Sequence, residues 1–470
     1  TDGNGGADLP STVTLSGTIN TTNTQMDLGA VTLAGTTVLD TGNHASGILN
    51  VGAVTSGTNA LTLDSGSTAG ATIGLGSFVD GSGGLTIRDA GGLVTLGDIG
   101  SSGAGAVTIT DSTSGVTFSA NVDATTLTIT DTEDAAAVTF ANGQDVDLTT
   151  GLTVSNTGSD AYNVVINSTT FDAAGDTNFL NEGTLTLGNG GDVLTFAGGL
   201  STDGNGGADL PSTVTLSGTV QTAGTQMNLG AVTLGSDSTL KTDGNGATNN
   251  ANIIVGAVGV TSNDDLTVTS TGTVDFAGTV NLGSGDLDVT IDTATEGSDT
   301  LVIDQTITAG SIDFTGSGTA ANDTLDINQD LTASTSLTLD NLQTVDLALN
   351  VDLAATSGNL SAATNVGGIS LSETTTAGVN AFSTAGGAGD VSLAAITAQT
   401  TNTDITITTP TGASSGDVSL AGATGFGFIK INTQATANTA DISITGNITA
   451  VDANGGVGID VDASVLLACR

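Results

Sequence analysis

A short apolar-Thr-apolar triplet recurs along this chain at a fixed interval, and that interval restricts the possible folds more than any other feature. Between Leu85 and Val154 it appears as Leu85-Thr86-Ile87, Val94-Thr95-Leu96, Val107-Thr108-Ile109, Val116-Thr117-Phe118, Leu127-Thr128-Ile129, Val138-Thr139-Phe140 and Leu152-Thr153-Val154. Side chains alternate across a strand and β-branched residues suit an extended backbone, so each triplet predicts a short strand with two apolar side chains inward and one Thr outward. Val94, Val116 and Val138 stand 22 residues apart, as do Leu85 and Val107, and Leu96, Phe118, Phe140 and Tyr162 keep the same spacing. Two strand series therefore interleave on one period. A unit this short cannot bury its own apolar edge but can bury it against the next copy, which is the logic of a solenoid. The expected fold is an all-β parallel β-helix of about 20–25 residues per coil. The aromatic series is expected to stack one ring per coil inside it.

Composition excludes the main alternatives. Of 48 acidic residues in 470, only Glu133, Glu182, Glu296 and Glu373 are Glu. Asp serves turns and caps while Glu serves helix surfaces, so long helices are not expected. A 37% hydrophobic content in regular strands argues against disorder. The basic residues are Arg88, Lys241, Lys430 and Arg470, and the formal net charge is −44. Nucleic acid and anionic lipid are bound through Lys and Arg, so neither is an expected partner, whereas divalent cations are. No apolar run reaches the length of a transmembrane helix. The chain opens on Thr1 with no leader-like segment, which reads as a mature or excised piece.

Residues Thr1 to Leu33 return almost unchanged at Thr202 to Leu234, displaced by 201 positions, and the likeness extends over segments 1–54 and 202–258. Whole-coil copying suits a solenoid because each coil touches only its neighbours. The solenoid is expected over 1–353. Residues 354–388, rich in Ala, Gly, Ser and Thr, form a weakly patterned coil or seam. The solenoid is expected to resume over 389–470, where Gly389-Asp390-Val391-Ser392-Leu393-Ala394 recurs at Gly416-Asp417-Val418-Ser419-Leu420-Ala421. The apolar Ser464-Val465-Leu466-Leu467-Ala468 has no polar cap after it and reads as an open strand edge that invites another chain, hence a homopolymer by end-to-end or lateral association.

No catalytic constellation stands out. His44 lies in a Gly-Asn-His-Ala-Ser turn without a partner, and Cys469, the single cysteine, has no His near it in sequence. Paired Asp residues are the basis of polysaccharide-cleaving β-helices, but this chain has no Trp and one Tyr to stack a sugar. Calcium is the better candidate. Leu187-Gly188-Asn189-Gly190-Gly191-Asp192-Val193-Leu194 partly matches the Gly-Gly-x-Gly-x-Asp nonapeptide of calcium-binding β-rolls, and Gly297-Ser298-Asp299-Thr300-Leu301 echoes its second half. Asp192 and Asp299 are thus the candidate ligands of loose calcium sites, with no cofactor required. Outward Thr pairs such as Thr406 and Thr408 are insufficient for a flat ice-binding array, and Asn-x-Ser/Thr sequons begin at Asn20, Asn167, Asn322, Asn359 and Asn447.

The run Asn438-Thr439-Ala440-Asp441-Ile442-Ser443-Ile444-Thr445-Gly446-Asn447-Ile448-Thr449-Ala450 and the repeated Gly-x-(Leu/Val)-Thr-(Leu/Ile) pattern resemble filamentous-haemagglutinin-type and autotransporter-passenger β-helices of bacterial surfaces. The resemblance covers essentially the whole chain and rests on repeat style. It implies a right-handed parallel β-helix, export to the cell exterior, and a non-enzymatic role as a rigid rod, filament or surface-layer component, or alternatively as an adhesin stalk.

Overall fold

Each triplet forms a strand, and each strand pairs in parallel with the equivalent strand one coil away. The computed structural model describes residues 13–79, 81–158, 160–203, 209–291, 299–316, 323–362, 366–371, 378–385, 389–398, 403–412, 416–435, 440–450, 458–463 and 467–469. Nearly all regular structure among them is strand, the helical exception being a 3-10 turn at Gly244–Gly246. The chain divides into two compact units, Thr1–Gly230 and Ala231–Arg470, and each is a parallel β-solenoid.

In the first unit the 22-residue spacing appears directly as register. Val94 lies opposite Val116, and Val116 opposite Val138, while Leu85 lies opposite Val107. One column of side chains runs Ile19, Leu39, Leu63, Ile87, Ile109, Ile129, Val154 through successive coils. The two apolar members of a triplet are buried, while the central Thr is half-buried, or exposed at Thr95 and Thr153, and in places stacks on the Thr of neighbouring coils, as Thr86 does between Thr62 and Thr108.

The second unit repeats the same construction with looser turns. Successive coils place Leu301 opposite Leu325, Leu325 opposite Val345, and Val345 opposite Ile369. Strands continue through 354–388 as Leu360–Ala362, Ile369–Leu371 and Gly378–Thr384. The widest step there sets Leu360 opposite Val391, 31 residues on.

The coils have three strand segments, not the two that the triplets suggest, although in the first unit two of them run together, as in Val122–Ile129 with its register shift after Ala124. In the second unit one coil is Thr300–Ile303, Ile307–Ala309 and Ile312–Thr315, and the next is Thr324–Ile327, Leu331–Ala333 and Leu337–Asp340. The strand that sequence pattern misses is the middle one. Ile307-Thr308-Ala309 and Leu331-Thr332-Ala333 put Ala at an inward position, and Val122-Asp123-Ala124 in the first unit adds an Asp at the centre. Where three faces meet, a small inward residue fits and a second large one does not, so the third series loses its hydrophobic signature.

The aromatic stack also departs from expectation after two rings. Phe118 and Phe140 lie parallel, with centroids 4.8 Å apart and planes 4° from each other. The turn after Phe140 is longer, however, so Ile166 rather than Tyr162 sits opposite Phe140. The rings instead continue across the interior, with Phe140 edge-on to Phe171 at 5.4 Å and Phe171 against Phe196 at 5.5 Å. Tyr162 is buried beside this path, and its hydroxyl donates to the Ser155 carbonyl at 2.6 Å.

The duplicated sequence keeps its local structure where both copies are described. Val13–Asn20, Met26–Leu28 and Val31–Asp40 correspond to Thr213–Gln221, Met227–Leu229 and Val232–Lys241. The second copy spans the division between the units, which falls after Gly230.

Candidate functional site

With the interior filled by apolar side chains, the chemistry of the chain is carried by the corners where strands end. The repeat Gly-Asp-Val-Ser-Leu shows how a corner is made. Val391 and Leu393 point inward on one coil, as Val418 and Leu420 do on the next. Gly358, Gly389 and Gly416 stack so closely that a Cβ on Gly389 would meet the Gly358 carbonyl, and one on Gly416 the Gly389 carbonyl. The Asp that follows links coils. Asn359 Oδ1 accepts the Asp390 N–H at 3.0 Å, Asp390 Oδ1 that of Asp417 at 2.8 Å, and Asp417 Oδ1 that of Asp441 at 2.8 Å. Earlier in the same unit Asp237, Asp265 and Asp286 do the same, ending on the Ser311 N–H. Many of the aspartates therefore satisfy backbone donors that a plain turn would leave to water.

A second acidic column, in the first unit, is less well compensated. Asp40, Asp64 and Asp89 are in register at the end of one face, and Asp111 and Asp131 follow at the corresponding place after Ile109 and Ile129. Arg88 donates from Nε to Asp64 and lies 3.4 Å from Asp40, so the cation serves one end of the column. Burial and then the carboxylates of Asp111 and Asp64 hold Asp89 above the usual carboxylate range. Burial and then Asp131 and Asp160 do the same for Asp111. Burial, followed by the Asp131 charge, also pushes the Tyr162 phenol up.

The two candidate calcium ligands lie in different units and different surroundings. Asp192 closes a turn: its Oδ2 accepts the Asn189 N–H at 2.8 Å, and its carbonyl accepts the Thr219 N–H from the next coil. Burial raises its carboxyl above the ordinary range, with the Asn189 hydrogen bond acting against it. Asp299 is 1% exposed, and its Oδ1 accepts from Asn250 Nδ2 at 3.3 Å while its Oδ2 has no hydrogen-bond partner. One coil further on stands Asp323, also 1% exposed, brought beside it by the pairing of Thr300 with Thr324. Burial first, and the Asp323 carboxylate second, raise Asp299 to about 6. The nonapeptide pattern does not reach Asp323 or Asn250. The signal that does reach Asp323 is the repeated Asp-Thr-Leu of Asp299-Thr300-Leu301 and Asp323-Thr324-Leu325, 24 residues apart. Among the described residues no three His, Cys, Asp or Glu side chains converge in a way that could hold a metal ion.

The remaining sequence candidates fall apart as sites. His44 is exposed, with its Nδ1 accepting the Ser46 N–H at 3.2 Å in a local turn. Cys469 ends the strand Leu467–Cys469. Thr406 and Thr408 stand opposite Ala381 and Ser383 on one side and Lys430 and Asn432 on the other, so no Thr array forms there. Residues Gly297 and Ser298 of the calcium-like motif, Asn322 of a sequon, Asn438 and Thr439 of the run before Ala440, and Ser464 to Leu466 of the apolar terminal strand lie outside the described residues. Among the described residues no helix is long and apolar enough to cross a membrane. No family model, no curated protein and no solved structure matches this chain.

Proposed function

We propose that this chain is a structural element of a bacterial cell surface: an extracellular, non-enzymatic solenoid that acts as a stiff spacer within a filament or surface layer and associates with further copies of itself. The observation that carries this reading is the uniformity of the coils. Main-chain ladders, an apolar interior and Asp corner columns repeat through both units, so every coil does the same mechanical work as its neighbours. A carboxylate-rich exterior with few Lys or Arg suits a surface layer, because it keeps the polymer solvated and offers trypsin-like proteases few cleavage sites. The repeat style shared with filamentous-haemagglutinin-type and autotransporter-passenger proteins supports the cell-surface setting.

Electron microscopy and sedimentation of the purified chain over a hundredfold range of concentration, with calcium and with chelator, test the reading. Polymers longer than one chain, growing with concentration, are expected. Isolated particles under every condition would remove self-association and favour an adhesin stalk.

A further inference from the structure

In the first unit the short strands Thr177–Asn178, Leu200–Ser201 and Met227–Leu229 lie side by side on successive coils. Thr177, Leu200 and Met227 point inward and are buried, so Asn178, Ser201 and Asn228 form one outward row. The residues just before them are Asp176, Gly199 and Gln226. Gly199 leaves the middle coil without a side chain between two polar ones, and its φ of 127° keeps the position for glycine. A Cβ there would stand 2.9 Å from Asp176 Oδ1, so the carboxylate leans over the gap. The result is a cleft of about 290 Å³, near the lower limit for ligand pockets.

We propose that this cleft binds one ring of a neutral saccharide. Asp176 and Gln226 stand exposed at its two walls. Asn178 Nδ2 donates to Asp176 Oδ2 at 3.4 Å and so orients the carboxylate. The carboxamide oxygen of Asn228 is buried with no hydrogen-bond partner, so turning it into the cleft breaks no bond. A carboxamide offers donor and acceptor in one plane, and a carboxylate offers two acceptors, which together match the adjacent hydroxyls of a sugar ring. Other ligand classes fit less well. The polar walls give an apolar ligand little to bury, and a carboxylate with no Lys or Arg beside it repels an anion. A hard cation would find one carboxylate where its sites use several oxygen ligands. No aromatic ring lines the cleft, so hydrogen bonds alone hold the sugar and the affinity is weak, on the order of millimolar. The site is independent of the proposed surface role, since it sits within one unit and needs no second copy.

Saturation-transfer NMR of the full chain with methyl glucoside, methyl galactoside, methyl mannoside and N-acetylglucosamine in turn, together with thermal unfolding, tests the assignment. At least one of these sugars is expected to receive transfer, whereas glucuronic acid, which adds a carboxylate, is expected to receive none. Asp176→Ala and Gln226→Ala should each lose most of the signal, while Asp172→Ala, exposed on a different strand series of the same unit, keeps it. Both cleft residues are exposed, so the Tm of their variants should equal that of the wild type, which shows that loss of binding is not loss of fold. Transfer to none of the neutral sugars, transfer unchanged in either cleft variant, or a preference for glucuronic acid overturns the proposal.

Discussion

At the scale of the residue, glycine and aspartate do different work at the same corner. Gly389 and Gly416 permit one coil to lie on the next without a Cβ between them, and Asp390 and Asp417 each hand a carboxylate oxygen to the following coil's N–H. The Gly-Asp pair at the head of each repeat is therefore a stacking device rather than a binding motif. Replacing Gly416 by Ala forces a Cβ against the Gly389 carbonyl, which costs about 1–3 kcal/mol as overpacking. The expected result is faster amide hydrogen exchange over 389–435 with protection over 85–154 unchanged, because coils couple to their neighbours and not to distant ones. Uniform protection across 389–435 in the variant would show that the corner has room to give.

At the scale of the element, the strand ladder and the aromatic path carry the stability of the first unit. Phe140 is the hinge of that path, stacked on Phe118 and edge-on to Phe171, and it is fully buried. Phe140→Ala leaves a cavity bordered by two rings and should destabilise its coil by about 3–5 kcal/mol. Chemical denaturation followed through the near-ultraviolet signal of Tyr162, one coil away, checks this: the signal should be lost at lower denaturant in the variant. Phe118→Leu should cost less, since Leu96 already occupies the equivalent position one coil earlier.

At the scale of the whole molecule, charge governs how stability answers to pH. Several aspartates besides Asp299, among them Asp89, Asp111, Asp288 and Asp326, are held above the usual carboxylate range, chiefly by burial and then by neighbouring carboxylates. Their folded-state pKa values exceed the unfolded ones, so the folded chain holds more protons, and stability falls as pH rises from the ordinary carboxylate range through the raised values. Asp27, lowered by the hydrogen bonds of Asn50 and Gln25, works in the opposite direction. Asp299, raised to about 6, sets the window, so in chelator the Tm should rise as pH is lowered from 7.5 to about 5, the reverse of ordinary acid denaturation. Scanning calorimetry at fixed ionic strength measures it, and a Tm that falls steadily over that interval would mean the acidic columns are relaxed by solvent.

Much of the fold is readable from the chain. The 22-residue interval between Val94, Val116 and Val138 is a tertiary contact written in sequence, because in a parallel solenoid like residues lie one above another and the spacing is the coil. Asp-rich, Glu-poor composition announces strands and turns for the same local reason. Three things are decided only by the folded molecule. The third strand escapes notice because a small inward Ala carries little hydrophobic signal. The break in the aromatic series after Phe140 comes from a longer turn, which moves Ile166 into the place the spacing assigns to Tyr162. The raised carboxyl of Asp299 depends on burial beside the next coil, and a local motif cannot record desolvation. Sequence sets which residues recur, whereas charge cost is set by what the neighbouring coil leaves exposed to water.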